Sequence, residues 1–125
     1  MKRAKIIDVF SPDVEDLFSY RPDDPENFCI LLQICVGISG NIDEQKSGET
    51  FDLEVYTPKW LLSNYKKDEI IFPKHSLIVF KYDFECIYQK LKKMVESCYG
   101  DSWEEIAKKI GAFAAWEFED YQGEY

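Results

Sequence analysis

The side chains able to do acid–base, nucleophilic or metal chemistry in this sequence are one histidine, four cysteines and 24 carboxylates. His75 follows the run IIFPK and has no acid or nucleophile at the spacing of a catalytic pair. It reads as a surface or edge histidine. Cys29, Cys35, Cys86 and Cys98 form no C-x-x-C pair, so neither a zinc ribbon nor a thiol–disulfide motif is present. Cys29, Cys35 and Cys98 lie in apolar runs and are expected to be small buried hydrophobes. No P-loop, G-x-G-x-x-G, G-x-S-x-G or H-E-x-x-H occurs. DDPEN lacks the ligand spacing of a calcium loop, and Pro25 interrupts it. Carboxylate pairs of the glycosidase kind need only spatial proximity, which so acidic a chain supplies by chance. No enzyme, cofactor or metal is expected.

What remains informative is where the carboxylates lie. The chain carries a formal charge of −9, a balance that disfavours direct nucleic-acid binding and favours a basic partner or plain solubility. Residues 11–27 hold six acids against Arg21, and residues 101–125 hold seven acids against Lys108 and Lys109. Residues 59–93 hold eight lysines against four acids. If the two acidic segments are neighbours in space, they form one field that speeds and orients encounter with a basic protein. Tyr20, Phe28, Trp116, Phe118 and Tyr121 lie in or beside these segments. They are either interface anchors or core rings whose acidic neighbours solvate the chain. The candidate contact residues are Asp23, Asp24, Glu26, Glu117, Glu119, Asp120 and Tyr121.

These residues must be held by a single domain of 125 residues, long enough for a hydrophobic core. AKIIDVF (4–10) reads as a strand. The proline-rich, acidic stretch 11–27 reads as a long surface loop. In FCILLQICVGIS (28–39), Phe28, Ile30, Leu32, Ile34, Val36 and Ile38 share one strand face. TFDLEVY (50–56) alternates, with Phe51, Leu53 and Val55 inward and Asp52, Glu54 and Tyr56 outward. The two runs predict an antiparallel hairpin across the polar connection 40–49. TPKWLLSNY predicts a short helix capped by Thr57, with Trp60 and Leu61 facing the core. HSLIVFKY (75–82) reads as a strand, and 83–98 as an amphipathic helix capped by Asp83. A further helix starts at Ser102, with Ser102 and Glu105 as a capping box. From Trp116 the residues alternate, so the chain end is expected to be extended and to pair with a sheet edge. The fold class is α+β: a mostly antiparallel sheet with two long C-terminal helices packed on one face. The basic opening MKRAKIIDVF lacks the apolar core of a signal peptide, and no run is long enough to span a membrane. A reducing cytoplasm is expected.

The segments FSPDVEDLFSYRPDDPENF, TPKWL, DSWEEIAKKIG and WEFEDY together resemble the immunity protein 8 family of bacterial polymorphic toxin systems, in order over nearly the whole chain. The resemblance implies a small cytosolic, non-enzymatic α+β protein, encoded beside a secreted or contact-delivered toxin that it binds and neutralises. It carries over no binding residues; Trp60 matches a family tryptophan for which a structural role is expected. Nuclease toxins grip phosphates and are commonly basic, so an acidic inhibitor suits one. The partner expected is therefore a basic cognate toxin domain, with no direct nucleic acid and no membrane. The reading from a different class is an acidic adaptor domain that binds a basic cellular protein.

Overall fold

A computed structural model describes residues 1–40 and 48–116. The strands are β1 (Lys2–Phe10), β2 (Cys29–Ile38), β3 (Glu49–Tyr56), β4 (Ser76–Ile78), β5 (Tyr99–Gly100) and β6 (Ala115–Trp116). The helices are α1 (Pro58–Asn64), α2 (Phe84–Glu96) and α3 (Trp103–Ile110). The fold is α+β with one mixed sheet, ordered β4-β3-β2-β1-β5, and β6 also pairs with β3.

The period-two runs set the centre of the sheet. β2 and β3 pair antiparallel from Cys29↔Tyr56 to Val36↔Glu49. Ile30, Leu32, Ile34 and Val36 meet Phe51, Leu53 and Val55 in one core, and all are buried. The period-3.6 faces close that core from above: Phe84, Ile87, Leu91 and Val95 of α2, with Ile106, Ala107 and Ile110 of α3. Asp83 and Ser102 cap these helices as their positions predict, each accepting from a backbone N–H three residues on. The capping box is incomplete. The Glu105 carboxylate accepts from the Asp101 N–H, one residue before the cap.

Five features differ from the sequence expectation. The two C-terminal helices expected to be long are short: α2 has 13 residues and α3 has 8. After Ile110 the N–H groups of Gly111, Phe113 and Ala114 close tight turns on Ala107 and Ile110. Ala115 and Trp116 then pair with Asp52 and Phe51 of β3. The open edge of β3 thus takes residues that a longer helix would have used. The pairing expected from Trp116 onward is met at Trp116 and begins one residue earlier, and Glu117 onward lies outside the described residues.

The strand expected over 75–82 is three residues long and lies parallel to β3. It stops because the chain turns away to bury Tyr82, whose N–H donates to the Pro25 carbonyl at 2.7 Å. His75, with φ 55°, sits at the bend into β4, and its ring Nε2 lies 3.1 Å from the Gly111 carbonyl. It therefore ties the sheet edge to the end of α3. Tyr56, expected outward, is buried because Trp60 folds over it with ring centroids 5.6 Å apart. Trp60 and Leu61 accordingly cover the strand end and stay outside the core, and α1 has no buried residue. Cys98 is buried as expected, whereas Cys29 and Cys35 on the second face of β2 are only half-buried.

β1 bulges between Ile6 and Asp8, which sets Ile7 over the start of β3. A Cβ on Gly48 would stand 2.5 Å from the Ile7 side chain and 2.9 Å from the Val36 carbonyl oxygen. Ile7 has room to move, but the Val36 backbone is held in the ladder. Gly48→Ala should therefore cost about 1–3 kcal/mol in urea unfolding.

Candidate partner-binding surface

The acidic loop 11–27 is built on two apolar pegs, Val14 and Leu17, both buried. Tyr82 holds it from the other side. Its hydroxyl donates to the Leu17 carbonyl at 2.6 Å, and its ring meets Tyr20 and Phe28 edge-on at 5.1 Å each. Burial, with the nearby Tyr20 phenol, pushes the Tyr82 hydroxyl up to about 12, so it remains a donor throughout the physiological range.

Three of the loop's six acids are engaged by the fold. β1 leaves β2 at Phe10↔Gln33, so the next outward-facing β2 amide needs another partner; Asp13 accepts from Leu31 N–H at 2.9 Å. Asp16 accepts from Phe18 N–H at 3.1 Å. Asp24 accepts from Glu26 N–H at 2.9 Å and from the Lys59 ammonium at 2.8 Å. The Lys59 hydrogen bond holds the Asp24 carboxyl below the usual carboxylate range. A depressed folded value means the tie is present above the ordinary pKa and is lost as pH falls through the lowered one. Glu15, Asp23 and Glu26 are exposed, and the only ion pair among the described residues is Lys59–Asp24.

Three of the seven expected contact residues are among those described. Asp23, Asp24 and Glu26 lie together at the Cys29/Tyr56 end of the sheet, beside α1. Glu117, Glu119, Asp120 and Tyr121 fall outside the described residues. Trp116, which precedes them, pairs with Phe51, five residues from Tyr56 along β3, or about 17 Å at roughly 3.4 Å per residue. Of the aromatic candidates, Phe28 is buried, Tyr20 packs on Tyr82, and Trp116 stacks on Phe51 at 6.3 Å. These three serve packing.

Sequence reasoning passed over a different set. Leu62, Ile70 and Phe72 are 77%, 99% and 88% exposed. The available signal was the run EIIFP, apolar yet without helical or strand period, between a short helix and a short strand.

Among the described residues no group of three or more His, Cys, Asp or Glu is arranged to hold a metal, and no helix is long and apolar enough to cross a membrane. Burial, with the negative charges of Glu54 and Asp13, pushes the Cys29 thiol up to about 11, which makes it a poor nucleophile at neutral pH. The surface offers shape, charge and apolar area for binding. A family model described as Immunity protein 8 matches residues 4–121. No curated protein and no solved structure matches the chain.

Proposed function

Because this chain belongs to the immunity protein 8 family, we propose that it protects its producer by binding one cognate toxin domain, one to one, in the cytoplasm. The inhibition is by contact and involves no catalysis by this chain. The toxin is of the nuclease type, and its basic, phosphate-gripping surface is the natural counterpart of a chain with net charge −9. The family match carries the reading. The ordered acidic loop supports it, because Glu15, Asp23 and Glu26 are held toward solvent by a frame that uses Asp13, Asp16 and Asp24. The proposed contact residues are Asp23, Asp24 and Glu26 and, on charge alone, Glu117, Glu119, Asp120 and Tyr121.

The test is co-expression with the C-terminal domain of the protein encoded directly upstream, with only that domain tagged. A stable one-to-one complex that restores growth is expected; no complex and no protection would refute the reading. Within the complex, Asp23→Lys combined with Glu26→Lys should slow association about tenfold at low salt and flatten its salt dependence. Both side chains are exposed, so folding should be unaffected. Asp24 is left out because its loss would also release Lys59 and the Glu26 amide. A wild-type association rate indifferent to salt would remove electrostatics from the account.

A further inference from the structure

Resting on that reading, we propose that the apolar groove between α1 and residues 70–74 seats the toxin domain, which inserts an apolar side chain there and sets basic groups against the acidic loop. Its apolar lining includes Tyr56, Trp60, Leu61, Tyr65, Ile71 and Phe72, Glu54, Lys74 and Ser76 add polar atoms, and the half-open groove has a volume of about 240 Å³. That is below the roughly 300–1,000 Å³ of small-molecule sites and suits one large side chain. In its wall Trp60 packs between Tyr56 at 5.6 Å and Tyr65 at 5.9 Å.

The surroundings are unusually apolar. Of the 12 exposed large apolar side chains among the described residues, seven lie between Leu62 and Phe80 in sequence, and three of these, Tyr65, Ile71 and Phe72, line the groove. Single exposed apolar residues are ordinary; a cluster of this kind beside a preformed groove marks a contact surface.

Charge selects the occupant. At the groove itself Lys74 is offset by Glu54, and in the adjoining stretch of chain Lys66 and Lys67 are offset by Asp68 and Glu69. The net charge of the surface is therefore set by its neighbour across α1. Lys59 and Ser63 lie one turn apart on the helix and bind Asp24 and Asn27 at 2.8 and 3.3 Å. Through them the acidic loop and the groove become one surface, apolar at its centre with carboxylates along one rim. The complementary partner has an apolar projection bordered by Lys or Arg. A second copy of this chain fits poorly, since a two-fold contact would bring two chains of −9 together through like-charged rims.

The test is calorimetric titration of the purified, catalytically disabled C-terminal domain of the protein encoded directly upstream into wild type, Ile71→Ser and Phe72→Ser, both groove-lining and exposed. Urea midpoints are measured in parallel. With midpoints unchanged, each substitution should raise Kd by about 30-fold or more. Wild-type binding with both variants within about threefold would overturn the groove and leave the immunity reading standing. Absent wild-type binding, with no growth protection, would overturn both. A wild-type dimer that Phe72→Ser converts to monomer would assign the groove to a second copy and overturn the inference.

Discussion

Phe51→Ala should destabilise the fold by about 3–5 kcal/mol, the largest loss expected from any single truncation here. Phe51 is fully buried. Its ring lies between Trp103 of α3 and Trp116 of β6, each 6.3 Å away, one edge-on and the other nearly parallel. Its backbone pairs with Ile34 on one side and Trp116 on the other. Removing the ring deletes its transfer energy, opens a cavity and breaks two aromatic contacts worth about 0.5–1.5 kcal/mol each. The cavity cannot readily collapse, because its walls come from three separate elements. Urea unfolding should show a lower midpoint at unchanged slope. Phe51→Leu, which keeps most of the volume, should lose less than half as much. Equal losses for the two would mean that ring geometry matters and cavity volume does not.

Thr57→Val comes second, at about 2–4 kcal/mol, with almost no change in volume. Thr57 is the one buried polar residue among those described. Its hydroxyl accepts from Trp60 N–H, as the cap of α1, and from Phe28 N–H, each at 3.2 Å. Its own N–H donates to the Phe28 carbonyl. One oxygen thus fastens the start of α1 and the residue before β2 to the end of β3. Valine would leave two inward-facing donors without an acceptor, each costing about 1–3 kcal/mol. Thr57→Ser should restore most of the stability. Because α1 joins the acidic loop to the apolar groove, the valine variant should also bind the toxin domain more weakly than its stability loss explains. Stability and affinity intact in the valine variant would show that neither amide depends on this hydroxyl.

Much of this architecture is written locally. Alternation in 28–39 and 50–56 yields the central hairpin, and the spacing Phe84, Ile87, Leu91, Val95 yields α2. Thr57, Asp83 and Ser102 each cap the helix their positions predict. These features depend on period and on side chains a few residues away. What the sequence does not display is pairing across distance. β4 joins β3 in parallel from 20 positions further on, counted from Tyr56 to Ser76, and β6 joins it from the far end of the described chain. The covering of Tyr56 by Trp60 inverts a face assignment that alternation alone had right for Phe51, Leu53 and Val55. In the loop, acids of one chemical type divide into frame and surface. Asp13 and Asp24 find partners at Leu31 and Lys59, 18 and 35 positions away, while Asp23 beside Asp24 stays in solvent.

The outer edge of β3 is completed by two short segments, Ser76–Ile78 and Ala115–Trp116, both made well after β3 itself. Synthesis runs from the N-terminus at about 5–20 residues per second, so about 3–12 seconds separate Tyr56 from Trp116. Until Ser76–Ile78 covers Glu54–Tyr56, and later Ala115–Trp116 covers Phe51 and Asp52, the nascent hairpin carries unsatisfied amides and carbonyls along a strand that also bears Phe51, Leu53 and Val55. Such an edge recruits strands from neighbouring chains. Ribosomes translating one message close together therefore hold several open edges at once. Slowing the arrival of Ala115 and Trp116 is therefore expected to lower the yield of native protein in the cell, a vulnerability the finished fold no longer displays.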